Sequence, residues 1–135
     1  MLPTSDTSTA SKPFTGAFGV IQSQPDERTS IAAFEGELDL ERAPSLKWAL
    51  VDSLDAGCKQ LVVDLTQVRF MDSTALSVLV GVNKGLDADT RMAIVCANAN
   101  VLKIFELSGM DGTFAIFPTL EQALVHVRGH TTRIG

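Results

Sequence analysis

The chain has 135 residues, 45% of them hydrophobic and 20% charged, which matches one globular domain large enough to hold its own core without a disulfide or a metal. Its 11 basic residues against 16 acidic ones give a net charge of -5. That balance argues against a nucleic-acid binder, which usually needs a basic face, and against adsorption to an acidic membrane surface.

In chain order, seven of the first fifteen residues are Ser or Thr, interrupted by Pro3 and Pro13. Residues 1–15 have too few apolar side chains to offset the entropy of ordering them, so a flexible tail is predicted there. A Ser/Thr-rich tail is usually solvated chain, and it also offers sites for regulatory phosphorylation. Residues 17–23 and 29–34 read as two strands of a hairpin around the polar turn Pro25-Asp26-Glu27-Arg28. Pro44 opens a helix, with Leu46, Leu50 and Leu54 at four-residue spacing, and Gly57 ends it. The short apolar run of residues 61–65 (LVVDL) predicts a strand covered on both faces. Residues 73–84 form a second helix, apolar nearly all round, and residues 91–97 (RMAIVCA) another buried strand. Asn100 is placed as the cap of a third helix that stops at Gly109. Residues 113–117 read as a last strand. Thr119 and Gln122 have the capping-box spacing that starts a final helix. A short frayed end follows, giving a domain over 16–129 and a tail over 130–135. This alternation predicts an α/β fold: one domain with a mixed, mostly parallel sheet of about five strands and about four helices, the hairpin adding an antiparallel edge.

No apolar run reaches the roughly 20 residues of a membrane span, and the N-terminus lacks the basic-then-apolar order of a secretory leader. The expectation is a cytoplasmic protein without direct membrane insertion. Neither GxxxxGK[ST] nor GxGxxG occurs, so no nucleotide-binding motif is present. There is no GxSxG elbow, and His126 and His130 are the only histidines. No catalytic constellation, cofactor or metal is expected. Cys58 precedes one parallel strand and Cys96 ends the next, which puts them at opposite ends of a sheet. A five-residue strand spans about 17 Å, whereas a disulfide needs Cα atoms within about 7 Å, so two unpaired thiols are expected.

The informative stretch is residues 68–81, VRFMDSTALSVLVG. A polar cluster, Asp72-Ser73-Thr74, follows a strand and opens an apolar helix. One reading makes Asp72 or Ser73 simply a helix cap. The same geometry also tolerates a phosphate, because a helix N-terminus carries free N–H groups and partial positive charge. Phosphorylation of Ser73 would add about -1.5 to -2 charge at one surface point. A second cluster, Gly36-Glu37-Leu38-Asp39, reads either as a strand exit with two solvated carboxylates or as an acidic rim near Ser73, since parallel strand ends gather on one edge.

GELD at 36–39, LVVDL at 61–65, FMDST at 70–74, LKIFELSGM at 102–110 and the helix start at Thr119, Glu121 and Ala123 occur in this order. The set resembles the STAS domain, and more specifically bacterial anti-sigma factor antagonists, over roughly residues 17–129. The resemblance implies a protein that binds an anti-sigma factor with serine kinase activity and so releases a sigma factor. It implies that the kinase phosphorylates the Ser after Asp in D-S-[ST], here Ser73, with Thr74 as second choice, and that a serine phosphatase restores the active form. It further implies a partner-binding surface of Glu37, Asp39, Asp72, Ser73, Thr74 and Ala75. Ala75 stands where the family often has Gly. With no ATP site, the chain would be a substrate and not a kinase, and Asp39 and Asp72 would orient the Ser73 hydroxyl by hydrogen bonding. The alternative is a constitutive STAS interaction subunit of a sensory or membrane transport complex, without a phospho-switch. A monomer is the simplest free state. Trp48, the single Trp, lies off the Leu46–Leu50 stripe and reads as a helix flank or a partner contact. Glu41 and Arg42, near the start of the first helix, are candidates for the rim of the partner site, and Phe105 and Met110 read as packing residues.

Overall fold

The computed structural model describes residues 18–129; the expected tails over 1–15 and 130–135 lie outside that range. Among the described residues five strands and four helices alternate: β1 (Phe18–Asp26), β2 (Thr29–Leu38), α1 (Ala43–Asp55), β3 (Gln60–Met71), α2 (Ser73–Lys84), β4 (Arg91–Val95), α3 (Ala99–Leu107), β5 (Ile116–Phe117) and α4 (Leu120–Val127). A 3-10 turn, Met110–Gly112, joins α3 to β5. The sheet order is β1-β2-β3-β4-β5. The β1–β2 pair is antiparallel and the other three pairs are parallel, so the expected mixed sheet with an antiparallel edge is present.

The layering follows from this order. Three right-handed crossovers that step the same way across a sheet leave their helices on one face. Accordingly α1, α2 and α3 bury Leu46, Leu50, Ala75, Leu76, Leu79, Val101 and Phe105 against Phe34, Leu38, Leu61, Val63, Leu65 and Ile94. Among the described helices only α4, which follows the last strand, reaches the other face, where Ala123 and Val127 cover Ile31, Val62, Ala93 and Val95. Because β3 and β4 are covered from both sides at their centre, their side chains read as continuous apolar runs.

Several boundaries differ from the sequence expectation. Strand β3 continues past Leu65 to Met71, and β2 continues through Gly36, Glu37 and Leu38. The two extensions pair with each other through two register shifts, at Ala33/Glu35 and Gly36/Glu37. Gly36 takes φ 93° at the second shift, a conformation other residues rarely adopt. The cap of α3 is Asn98 and not Asn100. Asn98 Oδ1 accepts the N–H groups of Asn100 and Val101 at 2.8 and 3.4 Å, while its Nδ2 donates to the Val68 carbonyl at 3.3 Å. That second bond ties α3 to β3. The last strand is two residues long, and strand β4 ends at Val95.

Other caps fall where expected. Thr119 Oγ1 accepts the Gln122 N–H at 3.3 Å, Gly57 takes φ 99° after α1, and Gly109 takes φ 76° after α3. Cys58 and Cys96 are both buried and unpaired, one before β3 and the other after β4. Burial pushes both thiols above their ordinary pKa. No described helix is long and apolar enough to cross a membrane.

Candidate functional site

The carboxyl ends of β2, β3 and β4 converge on one edge. Leu38 pairs with Met71, and the Asp72 N–H donates to the Leu38 carbonyl at 3.1 Å. This one bond sets the GELD exit beside the start of α2. Among the described strands the parallel order never reverses from β2 to β5, so this edge has no switch-point crevice and is a surface.

Asp72 is the N-cap of α2. It is extended, with φ -105° and ψ -179°, and its Oδ1 accepts the N–H groups of Thr74 at 2.9 Å and Ala75 at 3.2 Å. Ser73 is the first helical residue and is exposed. Its carbonyl accepts the Ser77 hydroxyl at 2.9 Å, and no hydrogen bond among the described residues engages its own Oγ. Thr74 is half-buried, on the side of α2 that faces α1. Ala75 is fully buried at 0% exposure. Its methyl points into the core, which corrects its expected place in the contact surface: helix phase turns it under Ser73.

Asp39 does not orient the Ser73 hydroxyl, and neither does Asp72. Asp39 Oδ1 accepts the N–H groups of Glu41 and Arg42 at 3.1 and 3.2 Å, and its Oδ2 accepts from Arg42 Nη1 at 3.1 Å. Desolvation works to raise its pKa. The Arg42 hydrogen bonds and charge, with the Glu41 N–H, outweigh that and hold the carboxyl below its ordinary value. Arg42 Nη1 also reaches Glu41 Oε1 at 3.1 Å, so the three form a small ion cluster at the entry to α1. Glu37 sits opposite Phe70 in the β2–β3 register. Both are exposed, and strand alternation turns them away from Leu38 and Met71 to the other sheet face. The edge thus brings Asp39, Asp72, Ser73 and Thr74 together, with Glu37 on the far side of the rim.

Sequence reading missed three features here. Leu40, 68% exposed, and Phe70, 48% exposed, flank the edge as bare apolar side chains. A cavity of about 590 Å³ runs between α1 and α2 from Thr74 downward. A glycine inside the helix pattern, Gly81, lines it and was the one signal available. Trp48 is 61% exposed on α1, and Phe105 is fully buried.

The STAS domain family model matches residues 21–123. The anti-sigma-F factor antagonist RsfB of Mycobacterium tuberculosis is 30% identical over 100 residues, covering 74% of this chain and 82% of the relative. An anti-sigma-B factor antagonist of Staphylococcus aureus is 33% identical over 76 residues, 56% of this chain and 70% of the relative. The crystal structure of an anti-sigma factor antagonist from Mycobacterium paratuberculosis superposes with a TM-score of 0.78 at 30% identity, covering 82% of this chain and 94% of that one. With the family model running from β1 into α4, on a sheet and helix arrangement shared with that structure, this chain belongs to the STAS domain family.

Proposed function

We propose that this protein is an anti-sigma factor antagonist, switched by phosphorylation of Ser73. In this reading the edge around Asp39, Asp72, Ser73 and Thr74 binds an anti-sigma factor that is also a serine kinase. Binding frees the sigma factor, phosphorylation ends binding, and a serine phosphatase restores it. The relatives named above carry the antagonist part of the reading. The observation that carries the switch is the Ser73 hydroxyl: exposed, without a hydrogen bond among the described residues, beside a carboxylate already committed to the helix. A kinase finds that oxygen free. The phosphate then adds about two negative charges to an edge that already holds Asp39 and Asp72. Like charge forced into a contact surface costs several kcal/mol, enough to abolish binding.

The test is capture from host lysate with wild type, Ser73→Ala and Ser73→Glu as baits, each checked for folding. Recovery of an anti-sigma factor by the first two, with at least a 30-fold weaker interaction for Ser73→Glu (about 2 kcal/mol), is the expected result. If the same partners bind all three baits equally, Ser73 only begins a helix and the protein is a constitutive interaction subunit.

A further inference from the structure

We propose that the groove between α1 and α2 seats an amphipathic helix of the same anti-sigma partner, extending the contact surface from Ser73 down the length of α2. The inference rests on the antagonist reading and adds where the partner lies. Lys47, Val51 and Leu54 form one wall, and Thr74, Val78 and Gly81 line the other. Thr74 belongs to both groove and edge, so the two surfaces are continuous. Helix α2 has 12 residues, a length of about 18 Å, or three turns of a docked helix. Apolar walls between two helices are what a helix-in-groove contact uses.

Two details point to a partner rather than to the chain's own packing. Gly81 is exposed at the start of the last turn of α2, and a Cβ built there would meet nothing within 4 Å beyond its own helix backbone and chain neighbours. Alanine would fit and would strengthen the helix, since a glycine within a helix weakens it. The fold therefore has no use for this glycine. A helix packed into the groove does, because the missing side chain lets the two backbones approach. Lys47 is the only charged residue on the walls and makes no ion pair among the described residues. The docked helix should carry an acidic residue at that position.

The experiment titrates the host's purified anti-sigma factors, one at a time, into wild type, Gly81→Ala, Gly81→Leu, Lys47→Glu and Ser73→Glu by calorimetry. Thermal unfolding is measured in parallel. Gly81→Ala should unfold about 4 °C higher than wild type yet bind more weakly. Gly81→Leu should stay folded and lose about 100-fold in affinity, a hot-spot-sized loss, and Lys47→Glu about tenfold. A factor that binds wild type and Gly81→Leu equally, while Ser73→Glu releases it, overturns the groove and leaves the antagonist reading standing. If no anti-sigma factor binds wild type, that reading fails and the groove proposal falls with it.

Discussion

Replacing Asp72 separates its structural role from any role in recognition. Its Oδ1 accepts two N–H groups of the first turn of α2, and no other side chain caps that helix. Asp72→Ala leaves both donors to water. Loss of an N-cap costs about 1 kcal/mol, and loss of a carboxylate at the positive end of a helix costs about 0.5 kcal/mol more. For a domain of roughly 110 residues, an unfolding entropy near 2.1 cal/mol/K per residue converts about 1.5 kcal/mol to a fall of ~6 °C in Tm. Asp72→Asn keeps an acceptor and loses only the charge, so its fall should be about 2 °C. Asp72→Ser should behave like Asn. The assay is thermal unfolding followed by circular dichroism at pH 7, with urea unfolding to check that the m-value is unchanged. Two results would refute the reasoning: a Tm for Asp72→Ala equal to wild type, or an Asn variant as damaged as the Ala variant. The second would mean that the charge, and not the acceptor, does the capping.

Asp39 titrates below its ordinary value in the folded state, so the stability it confers is present above about pH 4 and is lost as pH falls through the lower folded pKa. Asp39→Asn should flatten the acid limb of a Tm-against-pH curve between pH 2 and 5, and superimposable acid limbs would contradict this. Cys58 and Cys96, 4% and 2% exposed with raised pKa values, should react with a thiol reagent only after unfolding, both at one rate. Fast labelling of either in native protein would show that its cover opens locally. Asn98→Ala removes the cap of α3 and its tie to Val68, and should lower stability by about 1–2 kcal/mol in urea unfolding. An unchanged midpoint would place the cap elsewhere.

The sequence pattern carried the fold where burial on two faces made it continuous, as in residues 61–65, and where a cap had one candidate, as at Thr119. It failed where tertiary contacts decide. Residues 66–70 (TQVRF) lie beyond the cover of α4 and pair through two register shifts, so neither a buried run nor an alternation marks them as strand. Asn98 and Asn100 offer the same side chain, and the bond from Asn98 to the Val68 carbonyl, 30 residues away in sequence, is not legible in the local pattern. Ala75 was misplaced because α2 is apolar nearly all round: residues 75–82 give no phase, and contact with β3 and α1 selects the inward side. At the candidate site the motif order was readable, and so was the adjacency of strand ends. The committed bonds of Asp39 and Asp72 were not, since each depends on where neighbouring N–H groups lie in space.

Those committed bonds bear on how the proposed switch would work. A phosphate placed at a bare helix start is drawn to the unpaired N–H groups and tightens the first turn. Here Asp72 already holds two of them, and it adds a negative charge beside Ser73. A phosphate on Ser73 therefore gains little from the helix and is turned outward, toward whatever sits on the edge. The chain would change its surface charge without changing its shape. Ser73→Glu should then shift Tm by less than about 2 °C, well under the fall from Asp72→Ala, because favourable dipole and unfavourable Asp72 terms are of similar size. Amide shifts in a two-dimensional NMR spectrum should move only around the strand exit after Leu38 and the first two turns of α2. Shifts that spread into α3 or α4, or a Tm change as large as that of Asp72→Ala, would mean that the modification refolds the site. The loss of partner binding would then follow from structure and not from charge.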